Sequence, residues 1–113
     1  MKKIIVNSQN NLRLILQSEI MLCKSDNCYT TYYLVSGEEH IACKSLIKTY
    51  NELDSNIFIK ISQSFLVNVN YIKLVDKKNK VLELQNNRCI PFTIRISSLV
   101  EFINTAILQS AKE

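Results

Sequence analysis

Apolar and polar positions change their rhythm several times along the chain. From residue 3 to residue 44 the apolar letters come in short runs, each closed by a cluster of turn-forming polar residues, which predicts hairpins. Lys3–Val6 and Leu12–Leu16 flank the polar pentad Asn7-Ser8-Gln9-Asn10-Asn11. Ile20–Lys24 is a short apolar strand, punctuated by Asp26-Asn27. Tyr29–Val35 follows, rich in the good strand formers Tyr and Thr. Ser36-Gly37-Glu38-Glu39 turns the chain, and His40–Lys44 returns it.

At Ser45 the period lengthens. Ser45 reads as an N-cap, with Leu46, Ile47, Tyr50 and Leu53 on one face and Lys48, Asn51 and Glu52 opposite, a helix of about three turns. Strand character resumes at Ile57–Ile61, Tyr71–Val75, Val81–Gln85 and Cys89–Thr93. Pro91 places the last of these at a sheet edge, because proline cannot donate to a ladder. Ser98-Leu99-Val100-Glu101 has the spacing of a capping box and opens a C-terminal helix over about residues 97–110. Its apolar face holds Leu99, Phe102, Ile103, Ala106 and Ile107. One stretch fits no period. Ile61-Ser62-Gln63-Ser64-Phe65-Leu66-Val67-Asn68 neither alternates nor repeats every three to four residues. It reads as an outward turn at Ser62-Gln63, an apolar plug at 65–67, and a second turn closed by Asn68.

Composition narrows the classes. At 113 residues the chain reads as one domain, 1–113, and its single Gly and single Pro exclude collagen-like or long disordered tracts. The N-terminus lacks the apolar core of a signal peptide, and no run approaches the roughly 18 apolar residues of a membrane span. A cytoplasmic chain with reduced thiols at Cys23, Cys28, Cys43 and Cys89 is therefore expected. Cys23 and Cys43 sit in apolar runs, where a free thiol acts as a small hydrophobe, and no metal site is assigned. With one Gly there is no phosphate-binding loop, and the lone His40 lies beside a turn. No set of acids, bases and nucleophiles stands in register, so the expectation is a protein without catalysis, cofactor or small-molecule substrate. The net charge of +4 is compatible with nucleic acid without demanding it.

The specific signal lies between residues 19 and 99. It comprises Glu19-Ile20-Met21-Leu22, Asp26-Asn27-Cys28-Tyr29, the hairpin and helix to Leu53, Phe58-Ile59-Lys60-Ile61-Ser62-Gln63-Ser64-Phe65-Leu66-Val67-Asn68, Tyr71-Ile72, and Ile90-Pro91-Phe92-Thr93-Ile94-Arg95. This order and spacing resembles the LytTR family of bacterial DNA-binding domains, the output domains of many two-component response regulators. Met1–Leu16 also looks like that family's opening hairpin. The resemblance implies a mainly β fold with α: an elongated stack of short antiparallel sheets, one short mid-chain helix and a C-terminal helix. It implies binding to double-stranded DNA through loops and strand ends, across two major grooves and the minor groove between, with the duplex bent. Paired direct repeats and a homodimer on DNA are part of that expectation. The chain is read as stand-alone, without a receiver domain.

Three segments then face DNA: Lys24, Asn27, Cys28, Tyr29 and Thr31; Ser62 and Gln63; and Thr93 with Arg95. Arg95 has the fork for guanine, Gln63 the amide for adenine or for minor-groove acceptors, and Lys24 and Ser62 suit phosphate. The chain departs from the family where it matters. Ser62-Gln63 stands where His-Arg is usual, and Arg95 is a lone cation between Ile94 and Ile96. If about 3 to 5 phosphates are neutralised, the salt slope is roughly −3 to −4.5. Lys77-Lys78-Asn79-Lys80 reads either as a compensating basic turn or as a solubilising one. Two functions compete: a sequence-specific transcriptional regulator, and an interaction module of the same fold that modulates another regulator.

Overall fold

The computed structural model describes residues 2–111. Ten strands and two helices follow in order: β1 (Lys3–Asn7), β2 (Leu12–Leu16), β3 (Ile20–Asp26), β4 (Tyr29–Leu34), β5 (Glu39–Ala42), α1 (Leu46–Glu52), β6 (Phe58–Lys60), β7 (Phe65–Asn68), β8 (Ile72–Asp76), β9 (Val81–Leu84), β10 (Cys89–Pro91) and α2 (Ile96–Ala111). They form three antiparallel sheets: a β1-β2 ribbon, a central sheet ordered β5-β4-β3-β7-β6, and a third ordered β10-β9-β8. The sheets stack in a body of 42 × 33 × 24 Å. β10, which carries Pro91, is an edge strand as expected.

The central sheet is covered on both faces, and this organises the molecule. One face packs with the ribbon and α1 around Ile4, Ile15, Tyr32, Phe58 and Leu66. The other packs with the third sheet and α2 around Leu22, Val67, Leu82, Leu84 and Leu99. Successive residues of a strand point to opposite faces. In β3, Leu22 therefore enters the second core and Cys23 the first. In β7, Leu66 enters the first and Val67 the second. A strand buried on both faces reads as a continuous apolar run.

Residues 65–68 form a paired strand inside the central sheet, which the sequence reading does not predict, although Leu66 and Val67 plug the core and Asn68 caps the short turn Val69–Tyr71 as expected. Asn68 is the last residue of β7 and is fully buried. Its Nδ2 donates to the Ile20 carbonyl at 2.9 Å, and its Oδ1 accepts from the Asn70 amide at 2.9 Å. The Ile20 carbonyl lies at a register shift between Ile20 and Leu22. Met21 and Leu22, neighbours in the chain, both join the second core there, as an extra residue in a strand allows.

Both helices differ in detail from expectation. Ser45 caps α1, its Oγ accepting from the Lys48 amide at 3.2 Å. The helix is seven residues long, about two turns. Its buried face is Leu46, Thr49 and Leu53 with Tyr50 half-buried, while Ile47 is 60% exposed. Leu46, Thr49 and Leu53 fall at i, i+3 and i+7 on one stripe, and Ile47 lies about 100° round the helix from Leu46. α2 begins at Ile96, not at Ser98, and the Leu99 amide donates to the Arg95 carbonyl at 3.1 Å. Arg95 therefore holds the N-cap position, and Ser98 is the third helical residue. Ile94, Ile96 and Leu99 all enter the second core, which forces the chain into helix directly after Arg95. Further along α2, Ile103 packs on that core but Ile107 is 60% exposed.

Candidate nucleic-acid interface

Antiparallel pairing brings the three candidate segments to one end of the central sheet. The β3–β4 connection is the two residues Asn27-Cys28, with Asn27 at φ 56°, a conformation that asparagine tolerates better than most residues. Lys24 lies opposite Thr31 on one side and Phe65 on the other. The Ser25 amide donates to the Ser64 carbonyl at 2.8 Å, fastening the 62–64 loop beside the β3–β4 hairpin. On the loop's other flank, the Thr93 amide donates to the Ile61 carbonyl at 2.9 Å. The three segments thus stand in a row, with Ser62-Gln63 in the middle.

Within that row, Lys24, Asn27, Cys28, Tyr29, Gln63, Thr93 and Arg95 are exposed, and Thr31 and Ser62 are half-buried. Ser62 Oγ accepts from the Ser64 amide at 3.2 Å, which stiffens the loop and aims its tip outward. Gln63 makes no side-chain hydrogen bond among the described residues, so its amide is free for a ligand. Arg95 has no carboxylate partner among them either. Its position at a helix N-cap is electrostatically unfavourable, since the helix already presents a partial positive charge there. Tyr29 is 47% exposed at the hairpin tip, whereas Tyr32 is buried and Tyr33 lies under the Arg88 guanidinium at 4.2 Å.

The β8–β9 turn extends the row past Thr93, a neighbour that the sequence named only as one of two readings of a basic turn. The Phe92 amide donates to the Lys80 carbonyl at 3.0 Å. Lys80 Nζ lies 5.3 Å from the Phe92 ring centroid and 3.4 Å from the Thr93 carbonyl oxygen. Lys80 adopts φ 54°, uncommon for a residue other than Gly, Asn or Asp. Asp76 is held in the same turn by the Asn79 amide at 3.0 Å and the Asn79 side chain at 2.9 Å, which keep its carboxyl below the usual carboxylate range. Glu19, Glu38 and Glu39 sit at the opposite end of the central sheet, where the Glu19 carbonyl accepts from Val35 and the Glu38 carbonyl from Leu34. The candidate end carries Lys24, Arg95 and the Lys77–Lys80 turn against the carboxylates of Asp26 and Asp76, a cationic balance that favours a polyanion.

The cysteines divide. Cys23 is fully buried, and Cys28, Cys43 and Cys89 are exposed. Exposure of Cys43 differs from its reading as an apolar-run residue, because β5 ends at Ala42 and the next residue leaves the sheet. Burial pushes the Cys23 thiol well above its ordinary value. No group of three His, Cys, Asp or Glu side chains among the described residues is placed to hold a metal ion, and no described helix is long and apolar enough to cross a membrane.

Residues 10–101 match the sequence model of the LytTr DNA-binding domain. The fold superposes on a solved structure described as the LytTr DNA-binding domain of a methyl-accepting/DNA response regulator from Bacillus cereus. That comparison has a TM-score of 0.72 at 19% identity and covers 95% of this chain and 97% of the other. At that identity it establishes a shared fold. No curated protein matches the chain.

Proposed function

The chain belongs to the LytTr DNA-binding domain family, and on that premise we propose that it is a sequence-specific transcriptional regulator that reads promoter DNA with the row of loops at one end of its central sheet. The family is one of DNA-binding domains, not of enzymes. The observation that carries the reading is the order of the row. The β3–β4 hairpin, the Ser62-Gln63 loop and the Thr93–Arg95 segment lie side by side, joined by the Ser25–Ser64 and Thr93–Ile61 hydrogen bonds. That order suits a major groove, the minor groove next to it, and the following major groove. Arg95 and the hairpin residues Asn27 and Tyr29 read the outer grooves, and Gln63 enters the inner one. Lys24, Ser62, Thr93 and the Lys77–Lys80 turn meet phosphates and set the register.

The number of free cations is small, so one copy on one site binds weakly and steepens little with salt. Two copies on paired direct repeats gain effective concentration, and this is the arrangement proposed for the protein, acting in the bacterial cytoplasm. Fluorescence anisotropy tests the reading, with duplexes from the promoter upstream of the gene compared with random duplexes over a range of salt. Specific DNA should bind at least tenfold tighter than random DNA. Equal binding by both, with Arg95→Ala indistinguishable from the parent, defeats it.

One feature favours a second reading. Gln63 stands where the family's usual arginine adds charge, which suits a module that pairs with another regulator instead of gripping DNA alone. Recovery of a protein partner together with weak, sequence-blind DNA binding that moderate salt abolishes would support it.

A further inference from the structure

The row described above has a flank on one side only. Five strands at about 4.8 Å spacing span roughly 19 Å, whereas one turn of duplex takes about 34 Å. On the Arg95 side the 76–80 turn lengthens the row. On the β5 side the neighbour is the β1–β2 turn, residues 7–11. Thr30 is paired with Ala42 at the tip end of β4, so the chain leaving β5 through Cys43 and Lys44 emerges at the same end as the candidate site. The β1–β2 turn stands beside it. A groove of about 700 Å³ lies between them, lined by Asn7, Ser8, Gln9, Tyr29, Cys43 and Lys44 among others.

The composition of this turn points to its partner. All five residues are exposed, and all are uncharged and polar. Ser8 closes the turn on the Asn11 carbonyl through its amide at 2.8 Å and its hydroxyl at 3.2 Å. The side-chain amides of Asn7, Gln9 and Asn10 make no hydrogen bond among the described residues. Side-chain amides donate well to phosphate oxygens and release no counterion when they do. The single cation of the groove, Lys44, is tied to Glu52 at 2.6 Å, so it offers little free charge.

We infer that the β1–β2 turn is a second, uncharged phosphate clamp: Gln9 and Asn10 hydrogen-bond the sugar–phosphate backbone of duplex DNA beyond the stretch read by the β3–β4 hairpin. The inference rests on the proposed reading of the sheet end and extends it by one contact region on the β5 side. It gives a chain with few free cations a longer, less salt-sensitive grip.

The test uses the full chain carrying Gln9→Ala and Asn10→Ala, and a selected duplex in two lengths: long, and shortened on the flank next to the β3–β4 contact. On the long duplex the double variant should bind about threefold to tenfold more weakly than the parent, the loss expected for one or two hydrogen bonds. Its salt slope should equal the parent's. On the shortened duplex the two proteins should bind alike, and hydroxyl-radical protection on that flank should be lost in the variant. Equal binding to the long duplex, or an equal loss on both lengths, overturns the clamp while leaving the site reading intact. Failure of the parent to prefer the selected duplex defeats the site reading itself and the clamp with it. Circular dichroism of the variant, expected to match the parent, excludes unfolding as the cause.

Discussion

Asn68 and Ile20, 48 residues apart, are joined by a buried hydrogen bond of 2.9 Å from the Asn68 side-chain amide to the Ile20 carbonyl. The bond satisfies a carbonyl at the register shift of β3, and the other half of the same side chain holds the Asn70 amide. Asn68→Ala removes both, leaving two backbone groups to find other partners. It should cost about 1–3 kcal/mol of stability, read as a lower midpoint in urea at unchanged slope. Asn68→Asp should cost as much, since it replaces the donor with a second acceptor facing a carbonyl.

Arg95 should show opposite effects on fold and function. A cation at a helix N-cap works against the helix, and Asp there favours it by about 1 kcal/mol. Arg95→Asp is therefore expected to raise the melting temperature and to abolish specific DNA binding. A variant that melts lower, or that still binds, contradicts the assignment.

At the middle of the row, Gln63→Arg adds a cation where the loop tip is exposed. Affinity should rise and the slope of log K against log salt should steepen by about 0.9. An unchanged slope places Gln63 away from phosphate and base alike.

Lys80 offers a parallel experiment in the backbone. Its φ of 54° suits Gly better than any side chain with a Cβ. Lys80→Gly should leave the fold as stable or up to about 1 kcal/mol more stable. DNA affinity should fall, with the salt slope shallower by about 0.9. Thermal melts and salt titrations of one preparation read both.

Alkaline pH probes the first core. Burial pushes the Tyr32 phenol up to about 12 from an ordinary value near 10; Thr49 nearby pulls the other way, yet makes no hydrogen bond to it that meets normal geometry. The folded state thus holds this proton more tightly than the unfolded state. Its contribution to stability is whole below pH about 10 and is lost as pH rises toward about 12. Cys23, raised in the same core, acts in the same direction from pH about 9 upward. Urea midpoints measured from pH 8 to 11.5 should fall over the upper part of that range, and less so in Tyr32→Phe. In the native state iodoacetamide should label Cys28, Cys43 and Cys89 and spare Cys23.

Much of the architecture was written locally. Ser45 caps α1, Pro91 marks an edge strand, and the polar pentad at 7–11 makes a hairpin, because each depends on a residue's own backbone preference or on neighbours within a few positions. The candidate residues could likewise be named from motif order, and their exposure followed from polar letters between apolar runs. What lay beyond the sequence were relationships set by burial from a distance. The strand at Phe65–Asn68 was not legible, although its burial was, because alternation vanishes when both faces of a strand are covered, and only the stacked sheets provide the second cover. Ser98 read as a cap because its spacing to Glu101 is right, but Leu99 and Ile96 had to reach the second core, and that moved the helix start to Arg95's side. The same holds for the candidate site. Its residues, spread from Lys24 to Arg95, were individually legible. Their arrangement in a single row, flanked by Lys80 and by the β1–β2 turn, was decided by antiparallel pairing between strands far apart in the chain, whose register depends on packing that no local stretch contains.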